Sequence, residues 1–229
     1  MTGTRPARWA RGDAGQAFPI YITAVVGILF IALAFFAVGQ AGAKKNGAQT
    51  AADASALAAA QDYRDQLLDG FLKEIGDEKA RADWLSGRGA DRFLACDAAG
   101  AFAAKNDAEV DACDPFPDFT STAFTSTAFT VKVTSLGSVG RSVVPGTENQ
   151  KAYGRAKAVV EPRCALASDI PGHDAGGRDG DSGADDKGKG KGKGPLIELI
   201  CEGRPVSIDP EKPDPLPRAQ DLFTVRLAD

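Results

Sequence analysis

Apolar and polar positions divide this chain into one long unbroken apolar block followed by short patterned runs. Residues 14 to 43 contain no Asp, Glu, Lys or Arg, and the apolar heart of that block, Phe18 to Val38, holds 21 residues. As a helix these rise about 31 Å, at about 1.5 Å per residue, which matches the hydrocarbon core of a bilayer. One membrane crossing is expected, and no second stretch qualifies.

Directly after the block, Lys44 and Lys45 introduce charge, and alanine then fills eight of the thirteen positions 48 to 60. Alanine is the strongest helix former, so the span should continue as a helix to about Ile75, with Gly39, Gly42 and Gly47 as the points where it could bend. Leu68, Phe71, Leu72 and Ile75 recur at helical spacing and require burial. Ala48, Ala52 and Ala56 stack on one face. Two explanations fit them: a solvated stalk that merely favours helix, or a surface small enough for another helix to pack closely.

Beyond Gly76 the pattern predicts a helix capped by Asp77 and running through Trp84 and Leu85, then a third from Asp91 to Lys105. At Pro115 and Pro117 the composition turns to Thr, Phe and Val, as in strands. The repeat FTSTAFTSTAFT places Phe119, Phe124 and Phe129 five apart, a spacing that puts all three on one face of neither helix nor strand. From Phe129 onward the alternation is clean, with Phe129, Val131 and Val133 opposite Thr130, Lys132 and Thr134. Residues 152 to 160 alternate as well, and Ala152, Gly154, Ala156, Ala158 and Val160 form a face small enough to sit close to a helix. Strands are also expected at 196 to 201 and 222 to 227. Together these predict an α+β chain whose four strands form an antiparallel sheet against the long helix.

Residues 168 to 194 are acidic first and basic afterwards, rich in glycine and free of aromatics, and read as a disordered insert. Residues 205 to 217 hold five prolines and read as an extended connector. The expected organisation is a cytoplasmic tail (1–16), a transmembrane helix (17–43), an alanine-rich helical extension (44–76) and an extracytoplasmic α+β domain (77–229).

Charge and cysteine set the orientation. Arg5, Arg8 and Arg11 precede the span and two lysines follow it, a slight bias toward a cytoplasmic N-terminus. The same arginines and the Ala41-Gly42-Ala43 sequence also fit a cleavable signal peptide. The apolar run exceeds the usual 7 to 15 residues of such signals, which favours a retained anchor. All four cysteines, Cys96, Cys113, Cys164 and Cys201, follow the span, as expected for a domain on the oxidising side. Three pairings are possible, of which nearest-neighbour pairing joins Cys96 to Cys113 and Cys164 to Cys201.

After residue 43 there are 24 Lys and Arg against 30 Asp and Glu, so no basic surface points to nucleic acid. Metal and catalytic chemistry find no footing. No Cys-x2-Cys spacing occurs, and the single histidine is His173 in the glycine-rich insert. The run from Asp179 to Asp185 lacks the glycine and glutamate that a calcium loop needs at its sixth and twelfth positions. No G-x-S-x-G, phosphate loop or H-E-x-x-H is present, so neither an enzyme, a cofactor nor a small-molecule substrate is expected. Arg11-Gly12-Asp13 matches an adhesion tripeptide but falls on the cytoplasmic side of this topology.

The order of glycine, apolar span and Gln49-Thr50-Ala51-Ala52-Asp53-Ala54-Ser55-Ala56-Leu57-Ala58-Ala59-Ala60 resembles the N-terminal module of the Tad (tight-adherence, Flp-type) pilus-assembly proteins of the TadG/TadE-like kind. The likeness covers roughly residues 12 to 62, and Gln49, Ala51, Ala52, Asp53, Ala54, Ala56, Leu57 and Ala58 carry it. It implies a bacterial, single-pass, extracytoplasmic structural component of a pilus or secretion apparatus, minor pilin- or pseudopilin-like, whose N-terminal helix meets partner subunits. Two departures stand out. The fifth position after Gly15 is Ile20 where type IV-like pilins carry Glu, and Ala37 stands where the module often has an acid. The alternative is a membrane-tethered binding module for a small molecule or a cell-wall polymer.

Overall fold

The computed structural model describes residues 17–118, 126–138, 140, 146, 148–170, 196–211 and 217–228. The tail 1–16, Phe119 and Phe124 of the repeat, His173, the Asp179 run and the insert beyond Ile170 lie outside these residues.

A single helix organises the fold. α1 runs unbroken from Ala17 to Lys73, 57 residues or about 86 Å, and Gly39, Gly42 and Gly47 sit inside it without interrupting it. α2 (Glu78–Leu85) starts at Asp77, whose carboxylate accepts from the Ala80 amide at 2.8 Å. α3 (Arg92–Lys105) starts at Asp91, which accepts from the Phe93 and Leu94 amides. Each aspartate satisfies amides that the first helical turn leaves without a partner.

Four strands form the main antiparallel sheet, in the order β1 (Ala108–Asp118), β2 (Ser126–Ser138), β3 (Lys151–Pro162) and β7 (Phe223–Ala228). The expected inner faces are the observed ones. Phe129, Val131 and Val133 of β2 and Ala156, Ala158 and Val160 of β3 are buried in the core that α1 shares. A second sheet of three short strands, β4 (Cys164–Leu166), β5 (Ile197–Cys201) and β6 (Arg204–Ile208), follows β3. A four-residue helix, α4 (Ala219–Leu222), leads into β7.

Two expectations need correction. The strand at 197–201 belongs to the second sheet, not to the sheet on α1. The residues around Pro115 and Pro117, strand-like in composition, do lie in a strand, β1, whose outer side as an edge needs no amide donors, so proline is tolerated there. Residues 204–208, read as connector, form β6, another edge strand. It is paired to β5 through Glu202 and Gly203, whose φ values of 50° and 79° suit a two-residue hairpin.

The apolar stripe on the outer part of α1 is also rotated by about one position from the expected one. Tyr63, Leu67 and Phe71 are fully enclosed, while Leu68, Leu72 and Ile75 are half-buried at its margin. Tyr63 is drawn inward by its ring contact with Phe129, 5.4 Å between centroids, and by donating its hydroxyl to the Gly87 carbonyl at 2.6 Å. Trp84 fills the surface of α1 at Gly70, where any Cβ would lie 2.5 Å from the indole, and donates its ring N–H to Glu74.

The closest approach of sheet and helix is at Gly154 of β3, where a Cβ would run into the carbonyl of Ala48. Replacing glycine by alanine inside a strand normally helps. Here Gly154→Ala must push β3 off α1 and should cost about 1–3 kcal/mol, as overpacking does. Thermal unfolding checks this, and an unchanged or raised Tm would contradict the contact.

Candidate functional site

α1 changes character along its length, and that change defines the surfaces this chain can offer. Every residue from Phe18 to Phe36 is exposed, including Phe18, Phe30 and Phe35 at 71 to 75%. No residue from Phe18 to Gly47 is buried. This is a bare apolar cylinder, long and apolar enough to cross a membrane. An exposed apolar surface of this size marks a membrane or partner interface, since water leaves it uncompensated.

The alanine segment behaves oppositely. Ala48, Ala52 and Ala56 are buried at 2, 0 and 0%, and this chain's own domain covers them. β3 crosses α1 at Ala48, and α3 packs along α1 while turning Ala95, Ala99 and Ala103 into the same core. The three alanines are thus covered within the chain, and at Ala48 the cover is the backbone of β3. Of the remaining residues in the resemblance, Ala51 and Ala58 are buried, Asp53, Ala54 and Leu57 are half-buried, and Gln49 is exposed. Ser55, in the middle of the alanines, is fully enclosed, and its hydroxyl has no hydrogen-bond partner.

Gln49 has a role that sequence reading missed. β7 pairs with β3 only from Lys157 to Pro162, which leaves the lower part of β3 without a neighbour on that side. The Gln49 side chain takes the neighbour's place at Arg155. Its amide nitrogen donates to the Arg155 carbonyl at 2.9 Å, and its oxygen accepts from the Arg155 amide at 3.4 Å. The same nitrogen also donates to Asp53 one turn further along α1, at 2.9 Å. A primary amide carries one donor group and one acceptor in the geometry of a peptide, so it completes the ladder for one residue. A lone glutamine beside an alanine run was the available signal, but its partner lies 106 residues away.

All four cysteines are paired among themselves. Cys96 of α3 is bonded to Cys113 of β1, and Cys164 of β4 to its cross-strand neighbour Cys201 of β5. Among the described residues no three potential metal ligands cluster. One carboxyl is clearly perturbed. The Arg218 guanidinium and backbone amide hold the Asp221 carboxyl below its usual pKa, as expected of the charged pair that opens α4.

Comparison with known proteins places the resemblance. Residues 15–62 match the Tad family, Flp pilus-assembly TadE/G-like. No curated protein and no solved structure matches the chain. The match takes in the bare cylinder and the first turns of the covered alanine segment, and ends inside α1. It supports a pilus-assembly role and implies interaction with other pilus components.

Two outcomes test the junction. Gln49→Ala removes both contacts to Arg155 and should cost about 1–2 kcal/mol of stability. It should also speed hydrogen exchange at the Arg155 amide, which NMR or mass spectrometry resolves. Cys201→Ser opens the 37-residue separation closed by the second disulfide and should cost about 3–4 kcal/mol. Denaturant unfolding of the oxidised protein measures that loss.

Proposed function

We propose that this chain is a single-pass, membrane-anchored structural component of a Tad/Flp-like pilus or related secretion apparatus, minor pilin- or pseudopilin-like and without catalysis. The N-terminus is cytoplasmic, and the domain from residue 77 onward stands outside the membrane. The observation that carries the reading is the continuity of α1, whose bare half lies within the family match and whose covered half is the spine of the domain. With no flexible joint between them, any tilt or rotation imposed on the span by neighbouring helices is transmitted to the domain.

Other pilus components would be met along the cylinder, since the alanine face is already occupied. Ala52→Glu would therefore place a charge in a closed core and unfold the domain, which makes it a poor probe of assembly. The informative change is made in the span itself.

Replacing residues 18–38 by an unrelated leucine-rich span of equal length should keep the protein in the membrane after alkaline extraction. It should also abolish co-purification with the assembly subunits and the appearance of surface filaments. If filaments and co-purification survive, the span is only a tether and the chain is a binding module. Separately, Leu29→Arg with Ala32→Arg should each oppose insertion by about 2.5–3.5 kcal/mol and release the protein from the membrane fraction. Continued membrane retention would contradict the anchor.

A further inference from the structure

At the point where α1 leaves its apolar stretch, the helix and the domain together line an open cavity of about 580 Å³. Gln40 and Lys44, one turn apart, form its wall on α1, while Asp107 and Leu136 stand on the domain side. At about 1.5 Å per residue, Gln40 lies about 3 Å and Lys44 about 9 Å beyond Val38, the last residue of the apolar heart. A bilayer's headgroup layer extends about 5–7 Å beyond its hydrocarbon core, so Gln40 stands within that layer and Lys44 just past its outer edge.

The chemistry of the two walls is complementary to a zwitterion. Neither Lys44 nor Asp107 has an ion pair or a side-chain hydrogen bond among the described residues, so a cation and a carboxylate line one cavity without partners. Gly137 leaves space for the lysine, whose Nζ would lie 3.2 Å from a Cβ at that position. Asp107 is set into the wall by a left-handed backbone, φ 54°, which aspartate tolerates better than most residues. Its carbonyl is tied to the Leu136 amide at 2.8 Å. Leu136 itself is half exposed and supplies an apolar wall.

We propose that this cavity seats the headgroup of an ethanolamine phospholipid, with the phosphodiester against Lys44 and Gln40 and the ammonium against Asp107. The site rests on the membrane-anchor reading. It would fix how deep the domain sits on the bilayer. A purely anionic headgroup satisfies only the lysine, and a quaternary ammonium offers no hydrogen to the aspartate.

The full-length protein in nanodiscs holding equal ethanolamine, glycerol and choline phospholipids tests the proposal, with native mass spectrometry of the lipid retained on gentle release. Prior alkaline extraction shows independently whether the protein is anchored, so failure of the anchor and failure of the site are told apart. The wild type should retain the ethanolamine lipid about tenfold over the others, the scale of one charge-assisted contact. Lys44→Gln should abolish retention of all three, and Asp107→Asn, which keeps the backbone conformation accessible, should shift the preference to the glycerol lipid. Lys45→Gln, outside the cavity, should change nothing. Equal retention of the three lipids, a wild-type preference for the glycerol lipid, or equal effects of Lys44→Gln and Lys45→Gln would overturn the site. Displacement by soluble glycerophosphoethanolamine would overturn the lipid as its occupant.

Discussion

One helix has to satisfy two surroundings, and the rest of the structure follows from how it does so. Over its first half α1 presents large apolar side chains on all sides and has no protein cover. Over its second half it is the central rod of a domain and presents mostly alanine. The change takes place within the eleven residues from Val38 to Ala48. It needs no break in the backbone, because glycine and alanine let the helix pass from one regime to the other with its hydrogen bonds intact.

Small side chains on the rod set the distance of everything packed on it. Where β3 crosses at Ala48, the strand itself lacks a side chain, and backbone lies on backbone. Where α2 docks, Gly70 and Gly89 make room for the Trp84 ring, so bulk on one partner is met by absence on the other. α3 repeats the device with Ala95, Ala99 and Ala103. Such contacts exclude water well but bury little apolar area per residue, and burial stabilises at only about 25 cal/mol per Å². Larger groups, Tyr63, Leu67, Phe71 and Phe129, therefore gather toward the far end of the rod. The two disulfides hold α3 to β1 and the second sheet to itself.

Much of this is legible from residues in order. The span, the length of the helix beyond it, the aspartate that caps α2 and the inward faces of β2 and β3 all follow from local propensity and period. β6 was hidden because its proline and its neighbours read as a connector, and the start of β1 because its residues before Pro115 carry little strand signal. Their status as edges, which excuses the prolines, is a property of the sheet. The membership of β5 was hidden for a related reason, since an alternating run of five residues fits any sheet equally well. At the candidate site the alanine face was legible as either a solvated stalk or a close-packing surface, and what covers it was not. Gln49 reaches Arg155, and Lys44 shares a cavity with Asp107, only because folding brings distant segments to one level of α1.

The sequence by itself determined that a membrane-length apolar helix runs on into a domain, since hydrophobic length and helix propensity are local quantities summed along the chain. Tertiary structure alone decided that the alanine face is buried within the chain, with β3 lying on it at Ala48, while the apolar cylinder stays bare. A small-residue surface specifies how near a neighbour can come, and nothing in it specifies which neighbour arrives.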